Sequence, residues 1–460
     1  MKMATPVTLL DQGQFDLLGL NARSTVLIVG LGKTGLSIAR FLSGLGIRFA
    51  VNDTREIPPL LNEFSEQFPD AAVFLGGFQA SAFAAASHLI VSPGVSLQEP
   101  MIQSARWRGI PVLGDMDLFA SMARAPVIGI TGSNGKSTVT TLVGLMGEAD
   151  GRNTRVGGNL GTPMLDLLDD EAELYVLEFS SFQLESSHLL EPLAATVLNL
   201  SPDHLDRYPD LDAYAHAKER IFQGQGLMVL NRDDAVVAGM ARDGRATVWF
   251  SLSDNEAEYT LDVIDGVEWL MSKGDPVIAR EEVKLQGRHN LANALAAMAL
   301  SEAAGLSRTA QTSVLKNFTG LDHRMQWVGE FEQVDWINDS KATNVGACMA
   351  ALAGLDKPVI LIAGGDGKGA DFGVLLPVVQ DKVKSLVLMG KDAPVLESAL
   401  GDLAPTVRVE NMRQAVESAQ RMASPGDVVL LAPACASLDQ YKDYQQRGRV
   451  FADEVRKLAR

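Results

Sequence analysis

Short apolar runs recur along the chain, and most of them end in a glycine or polar turn that opens a helical pattern. Residues 26–29, 48–51, 72–75 and 88–91 form the first group of such runs. Runs of this length, bounded by turn signals, are typical of strands buried on both faces. Because helical patterns alternate with these strands, the sequence predicts a parallel, twisted sheet with helices on its faces.

The same alternation starts afresh at residue 127 and again near residue 322. The second group contains apolar runs at 127–131, 174–177 and 195–200, a helix at 210–222 and an alternating stretch at 247–269. We interpret the alternating stretch as a small antiparallel sheet. The third group comprises a short sheet at 325–337 and strands at 359–362 and 428–431. A length of 460 residues fits about three domains.

Composition narrows the class of protein. Hydrophobic residues make up 47% and charged residues 21% of the chain, which is ordinary for a globular protein. The net charge of −17, with no Lys/Arg cluster, argues against a nucleic-acid partner. No apolar run reaches the roughly 18 residues of a membrane helix, and residues 1–24 lack the order of a signal peptide. We therefore expect a cytoplasmic protein without a membrane partner.

Only two cysteines are present, Cys348 and Cys435. They are too few for a disulfide framework or a structural zinc site, which fits a reducing compartment. We expect both to be buried as small hydrophobic residues.

The strand at 127–131 leads into a glycine-rich loop and a helix start. This loop reads Thr-Gly-Ser-Asn-Gly-Lys-Ser-Thr over residues 131–138. Backbone amides and a helix N-terminus attract phosphate, a lysine can reach the outer phosphates and a hydroxyl can hold Mg²⁺. Ile130 occupies the place of the first glycine of the usual pattern, so the sequence predicts a variant triphosphate loop.

A second glycine pattern follows the first strand. Gly30, Gly32 and Gly35 form G-x-G-x-x-G between strand and helix, and Asp53 ends the next strand 18 residues after Gly35. This arrangement is typical of dinucleotide sites, where the turn holds a pyrophosphate and the acid holds a ribose. A purely structural tight turn is the alternative. Residues 92–94, Ser-Pro-Gly, also follow a strand, at the edge where open α/β sheets bind ligands.

Polar groups follow the strands of the second group as well. Glu178 and the Asp203–His204 pair stand at strand ends, where they could ligate Mg²⁺, although each alone could be a cap or a turn. Lys218, on its predicted helix, would be a solvated lysine by sequence alone. Asn290 and Asn293 share one helix face and could read an adenine edge, but Asn290 could equally be an N-cap.

Taken together, these motifs resemble those of the Mur ligase family and fall in the order of its D-glutamate-adding branch. The first segment that resembles the family is the loop at 131–138. Seven further segments support it, at residues 158–159, 178–181, 203–209, 287–290, 321–324, 339–344 and 433–440. The chain contains no Asp-Asn-Pro-Arg, which the diamino-acid-adding branch would carry.

The resemblance implies three α/β domains. They would be a Rossmann-like UDP-substrate domain at 1–115, a central P-loop-type ATP-binding domain with a mostly parallel sheet at 116–321, and a C-terminal Rossmann-like amino-acid-binding domain at 322–460. It implies ATP-dependent addition of D-glutamate to UDP-N-acetylmuramoyl-L-alanine through an acyl-phosphate, in peptidoglycan precursor synthesis.

The resemblance also implies site residues. ATP would be held by Gly132, Ser133, Asn134, Gly135, Lys136, Ser137, Thr138, Asn290, Asn293, Arg324 and Asp339. The UDP substrate would contact Gly30, Leu31, Gly32, Lys33, Thr34, Asp53, Thr54, Arg55, Gly94, Asn159 and His204. D-glutamate would contact Lys341, Thr343, Lys368, Ser437, Leu438 and Tyr444.

Catalysis would depend on Lys136, Glu178, His204 and Lys218. Two Mg²⁺ ions are implied, with Ser137, Glu178, His204 and a carbamylated Lys218 as ligands. The partners would be the two substrates alone, with a monomeric enzyme. Two other functions stay open from the residues: a nicotinamide-dependent dehydrogenase, from Gly30 to Gly35 and Asp53, and a nucleotide-switched binding protein.

Overall fold

The computed structural model describes residues 18–203, 207–285, 287–355 and 357–458. It contains three sheets with helices between their strands, so the expected α/β class is confirmed. Within these ranges, no helix has the length and apolar character needed to cross a membrane. The chain forms two compact units.

The first unit contains two of the sheets and comprises the described residues up to Leu200, Arg207 to Ala279, and Ala294–Val314. Its first sheet has five parallel strands in the order β3-β2-β1-β4-β5. These are β1 (Thr25–Val29), β2 (Arg48–Asn52), β3 (Ala72–Phe74), β4 (His88–Val91) and β5 (Val112–Leu113). The accompanying helices are Lys33–Gly44, Leu61–Gln67, Ala80–Ala85, Pro100–Trp107 and Asp115–Met122.

The second sheet has nine strands in the order β14-β13-β12-β11-β10-β9-β6-β8-β7. They are β6 (Val127–Thr131), β7 (Thr154–Gly158), β8 (Leu174–Glu178), β9 (Ala194–Val197), β10 (Leu227–Asn231), β11 (Thr247–Phe250), β12 (Tyr259–Ile264), β13 (Val267–Ser272) and β14 (Asp275–Ala279). The helices are Lys136–Ala149, Ser181–Glu185, Leu211–Glu219, Ala235–Ala238, Arg288–Ala303 and Arg308–Asn317.

The prediction of an antiparallel sheet at 247–269 is wrong in part. β11 pairs in parallel with β10 and extends the parallel part of the sheet. Only β12, β13 and β14 form an antiparallel meander, which continues to Ala279. Alternating polarity indicates a half-buried strand but does not say in which direction its neighbour runs.

The second unit comprises Ser201–Asp203, the described residues of Arg280–Asn293, and the chain from Leu315 onward. Its sheet has the order β15-β16-β20-β17-β18-β19, and only β15 is antiparallel. The strands are β15 (Gln326–Phe331), β16 (Val334–Asn338), β17 (Val359–Gly364), β18 (Val383–Met389), β19 (Thr406–Arg408) and β20 (Val428–Leu431). The helices that follow β16 are Val345–Ala353, Leu376–Lys382, Ala393–Leu400, Met412–Met422 and Tyr444–Lys457.

Each unit has apolar clusters of its own. In the first unit one cluster includes Ile28, Phe64 and Tyr175. In the second, separate clusters lie on the two faces of the sheet. Cys348 and Cys435 are both buried and free, which confirms that expectation.

Candidate functional site

The loop after β6 has the backbone of a phosphate-binding turn. Gly132 and Gly135 have φ of 147° and 83°, a region that favours glycine. A Cβ on Gly132 would lie only 3.1 Å from the Cβ of Leu198. Helix Lys136–Ala149 begins directly after Gly135, so its unpaired amides and the positive end of its dipole lie at the loop.

Asn199 holds this loop in place. Its carbonyl oxygen accepts from Ser133 N at 2.9 Å, and its Oδ1 accepts from Asn134 N at 2.8 Å. The Asn199 amide also donates to the Asn134 carbonyl at 3.2 Å. Sequence reasoning missed this residue, although its position just after β9 was a usable signal.

Lys136 folds over its own loop. Its Nζ donates to the carbonyl oxygens of Gly132 and Ser133, each at 2.8 Å. The ammonium is thereby held within the turn that would surround a triphosphate.

A buried carboxylate connects three predicted site residues. Glu178, at the end of β8, is 3% exposed. Its Oε2 accepts from Ser137 Oγ at 2.6 Å, and its Oε1 accepts from Asn159 Nδ2 at 2.6 Å. Gly158 allows this approach, because a Cβ there would collide with the Glu178 carbonyl oxygen. The hydroxyl and carboxylate predicted to share a metal therefore lie in direct contact.

Lys218 is not a solvated lysine, as its sequence position alone suggested. It is 1% exposed, and its Nζ donates to the Gly132 carbonyl at 3.0 Å and to Thr131 Oγ1 at 3.3 Å. The ring centroid of Tyr214 lies 4.6 Å from the same Nζ. Residues 214 and 218 are four apart, so one helix face carries both against the phosphate loop. Helical periodicity could not identify that face because the helix is short and rich in alanine.

His204 lies outside the described residues, so its predicted place as a metal ligand stays a prediction. Within the described ranges, no three His, Cys, Asp or Glu side chains form a metal-ligand cluster. The predicted set includes only one described residue of these types, Glu178.

The turn after β1 has the geometry that its glycines predict. A Cβ on Gly35 would collide with the Gly30 carbonyl oxygen, so only glycine permits this close packing of strand and helix. Ser92 Oγ donates to the same carbonyl at 2.9 Å. The carboxyl ends of β1 and β4 therefore meet at the predicted UDP site.

Asp53 is engaged within the protein. Its Oδ2 accepts from Leu31 N at 2.7 Å and from Arg55 Nη2 at 2.6 Å, while its Oδ1 accepts from Arg55 N and Nε. Burial raises the pKa of the Asp53 carboxyl, but the Arg55 and Leu31 hydrogen bonds outweigh it and hold the pKa below its ordinary value. Both oxygens thus stabilise the glycine turn instead of being left for a ribose, which weakens the dehydrogenase alternative.

The other predicted UDP contacts lie at this same edge. Leu31 is fully buried, so only its backbone can face a ligand. The remaining positions are partly or fully exposed: Gly32, Lys33, Thr34, Thr54, Arg55 and Gly94.

In the second unit, Asn290 and Asn293 are buried and bonded to each other, with Asn293 Nδ2 donating to Asn290 Oδ1 at 3.0 Å. Helix Arg288–Ala303 starts two residues before Asn290. The N-cap explanation of Asn290 is therefore wrong, and the pair presents side-chain amides from one helix face.

Asp339 lies at the end of β16 and accepts from Met325 N at 3.3 Å. Burial raises the pKa of the Asp339 carboxyl to about 7, against the opposing effects of the Met325 amide and the Arg324 charge. A carboxyl that titrates near neutrality beside an arginine is typical of a functional site.

Five of the six residues predicted for D-glutamate lie on loops at the carboxyl ends of the central strands, and the sixth, Tyr444, is the first residue of helix Tyr444–Lys457. Lys341 Nζ is 4.2 Å from the Tyr444 ring centroid. A backbone bridge between Asp366 and Ala436 brings the loop of Lys368 beside that of Ser437. Of the other two, Thr343 is partly buried and Leu438 is 71% exposed.

Arg447 holds these loops together, and sequence reasoning missed it. The side chain is 2% exposed. It donates to Ser340 Oγ at 3.0 Å, Ser340 O at 2.9 Å, Cys435 O at 3.1 Å and Gly364 O at 3.4 Å. Burial lowers the pKa of its guanidinium to about 10. One buried side chain therefore joins the loops that follow β16, β17 and β20.

Comparison with known proteins places the chain in a family. Three family models match in order: the Mur ligase MurD-like N-terminal domain at 24–114, the Mur ligase middle domain at 130–301 and the Mur ligase glutamate ligase domain at 323–435. A UDP-N-acetylmuramoylalanine–D-glutamate ligase from Methylococcus capsulatus is 59% identical over 97% of both chains. One from Nitrosococcus oceani is 52% identical over 95% of this chain and 97% of its own. This chain belongs to the Mur ligase family.

Solved structures agree with this Mur ligase in fold. A pseudomurein peptide ligase type C from Methanothermus fervidus matches with a TM-score of 0.61 at 17% identity, over 95% of this chain and 100% of that one. UDP-N-acetylmuramate-alanine ligase from Thermotoga maritima matches with a TM-score of 0.59 at 18% identity, over the same shares. The resemblance inferred from the motifs is confirmed, and neither alternative function finds support. The domain boundaries at 115/116 and 321/322 stay predictions.

Proposed function

We propose that this Mur ligase adds D-glutamate to UDP-N-acetylmuramoyl-L-alanine in an ATP-dependent reaction of peptidoglycan precursor synthesis. The main structural support is the phosphate loop. Ser137 of this loop and Asn159 both donate hydrogen bonds to the Glu178 carboxylate. The name and near-complete coverage of the relatives support the choice of substrates.

The residues of the loop fit ATP and Mg²⁺, the cofactors of the family. We propose that residues 132–138 surround the triphosphate, and that Asn290, Asn293, Arg324 and Asp339 hold the rest of the nucleotide. A magnesium ion held by Ser137 and Glu178 would neutralise phosphate charge. A second ion, with His204 as a ligand, is part of the proposal.

The proposed reaction has two steps. The L-alanine carboxylate of the UDP substrate attacks the γ-phosphate of ATP, which forms an acyl-phosphate and releases ADP. The amine of D-glutamate then attacks the acyl carbon, and phosphate leaves as the amide bond forms. Because two anions must meet in the first step, the cations Lys136 and Arg324 would chiefly neutralise charge and fix position.

We propose that Lys218 acts as a carbamate that bridges toward the metal. Its burial against Gly132 of the phosphate loop supports this role. A free ammonium would repel a magnesium ion there, whereas a carbamate carries the opposite charge.

Each substrate has a proposed place. The UDP group would bind at Gly30–Thr34, Asp53–Arg55 and Gly94, with Asn159 and His204 nearer the reacting end. D-glutamate would bind at Lys341, Thr343, Lys368, Ser437, Leu438 and Tyr444. Two carboxylates require cations and hydroxyl or N–H donors at both ends, and this set contains them.

We also propose a cytoplasmic monomer. Two buried free cysteines agree with a reducing compartment. Sedimentation at several concentrations would test the monomer.

The deciding experiment measures phosphate release from purified protein with ATP, Mg²⁺, the UDP-linked acceptor and D-glutamate, and then with each omitted in turn. We expect release only from the full mixture, together with a product one glutamate heavier by mass spectrometry. L-glutamate is the matched control. Equally fast release without D-glutamate would refute the proposal.

A further inference from the structure

A large groove lies within the first unit. Its volume is about 1050 Å³. One wall comes from helix Pro100–Trp107 and its neighbours, and the other from helix Leu211–Glu219 and the turn after it. None of the residues proposed above for ATP, UDP or D-glutamate is among its lining residues.

The groove is basic in a chain with a net charge of −17. Its lining contains four arginines, two histidines and two glutamates: Arg106, Arg207, Arg220, Arg242, His188, His216, Glu185 and Glu219. Both glutamates are already paired, Glu185 with Arg207 at 2.9 Å and Glu219 with Arg242 at 2.9 Å. The positive charges of Arg106 and Arg220 are not balanced by an acid among the lining residues that the structure describes.

Two carbonyl groups orient the guanidinium of Arg220, and His188 Nδ1 lies 3.5 Å from its Nη2. Its Nε donates to the Leu184 carbonyl at 2.8 Å and its Nη2 donates to the Ser187 carbonyl. Within the described ranges, its Nη1 makes no hydrogen bond. Carbonyl groups orient the guanidinium without cancelling its charge, which leaves a positioned donor for an anion.

The other ionisable groups of the lining differ in what they offer an anion. His216 Nδ1 donates to the Asp212 carbonyl at 2.7 Å, so Nε2 of the neutral imidazole is an acceptor and gives a phosphate no donor. Arg106 is exposed on the opposite wall, and its side chain makes no hydrogen bond or ion pair in the part of the chain that the structure covers.

The helix between the groove and the phosphate loop has two different faces. Ala213, His216, Ala217 and Arg220 line the groove at the three- and four-residue spacing of one face. Lys218 lies on the face that contacts Gly132 and Thr131. A ligand in the groove would therefore restrain the helix that positions Lys218.

We propose that this groove binds a small polyanion carrying two or more phosphate groups, as a site separate from catalysis. Binding joins Arg106 on one wall to Arg220 on the other. It also stiffens the helix that carries Lys218. Planar guanidinium groups on facing walls suit several phosphates better than one.

The test uses inorganic tripolyphosphate as the probe and is done without Mg²⁺. The protein is the full-length Lys136→Ala variant, in which the triphosphate loop has lost its lysine and should no longer compete for the probe. Isothermal titration should show binding in this background. Adding Arg106→Gln should weaken it about tenfold, because a charged hydrogen bond contributes roughly that factor. The matched control Arg48→Gln, an exposed arginine outside the groove, should leave the affinity unchanged.

Hydrogen exchange provides the second measurement. Tripolyphosphate should slow exchange of the amides in residues 211–223, and Arg106→Gln should remove that protection. Arg220→Gln should act like Arg106→Gln, but Arg220 also holds two carbonyls, so the exposed Arg106 gives the decisive variant. The proposal is overturned if Lys136→Ala alone abolishes binding, if Arg106→Gln binds like Arg48→Gln, or if exchange at 211–223 does not change.

Discussion

At the scale of single residues, Glu178 joins two other residues of the candidate site. One oxygen accepts from Ser137 and the other from Asn159, both at 2.6 Å. A buried carboxylate requires such donors, because an unpaired charge away from water is costly. The site is therefore positioned by the same bonds that make the burial of Glu178 tolerable.

Lys136→Ala should abolish ATP-dependent turnover, by about 10³-fold or more, because the cation proposed to neutralise the outer phosphates is lost. The measurement is steady-state phosphate release with all substrates present. Thermal unfolding of the variant is the control, since a large drop in midpoint would assign the loss to folding. Near-normal turnover would refute the role of the loop.

Lys218→Ala should lose activity that formate or acetate partly restores, since a small carboxylate can replace the charge of the proposed carbamate. Rate against added carboxylate is the measurement. The matched control is Lys316→Ala, which replaces a helical lysine paired with Glu282. This variant should keep wild-type activity, and added carboxylate should not change its rate. Wild-type rates in unsupplemented Lys218→Ala would remove the carbamate from the mechanism.

At the scale of elements, helix Asp115–Met122 connects the first and second sheets through two buried acids. Asp117 Oδ1 accepts from His188 N at 2.6 Å and from Leu189 N at 3.1 Å. Asp115 is fully buried, and its Oδ1 has no hydrogen-bond partner in the described part of the chain. Burial raises the pKa of the Asp115 carboxyl to about 6.

Asp115→Asn should change how stability depends on pH. Between the ordinary pKa of 3.8 and the folded value of about 6, the folded protein holds a proton that the unfolded chain has lost. The wild type therefore loses stability as pH rises through that window, by up to about 1.4 kcal/mol per pH unit.

The measurement is urea unfolding of both proteins at pH 5 and pH 7.5. The variant should gain stability relative to the wild type at the higher pH, by about 1 kcal/mol. A difference that is the same at both pH values would show that Asp115 does not titrate in this window.

Arg447→Met should destabilise the second unit by about 2–4 kcal/mol, because the carbonyl groups of three loops lose their donor. Chemical unfolding measures this loss. Arg456→Met, on the same helix but with a side chain 61% exposed, should change stability by less than about 0.5 kcal/mol. Equal effects of the two substitutions would contradict the joining role of Arg447.

At the scale of the whole molecule, the two compact units have separate apolar clusters. Scanning calorimetry should therefore resolve two transitions. UDP at about 100 times its Kd should stabilise the first unit by roughly 2.7 kcal/mol and leave the other transition in place. A single transition, or an equal shift of both, would show that the units unfold together.

Much of this organisation could be predicted from the sequence, because strand, turn and helix signals are local. The strand at 127–131, the glycine loop after it and the turn of Gly30 to Gly35 are of that kind. Three other features are not set by local signals: the direction of β11, the burial of Lys218 and the contacts of Arg447. Each depends on a neighbour far along the chain, and a charged residue gives no local sign that tertiary packing will bury it.

The position of Arg447 has a consequence for redesign of amino-acid specificity. One side chain donates to Ser340, Gly364 and Cys435, so a change in one loop alters the support of the other two. Substitutions in these loops should therefore combine non-additively, with coupling energies of about 0.5–3 kcal/mol in double-mutant cycles. A variant selective for a different amino acid would therefore have to be selected with all three loops varied together.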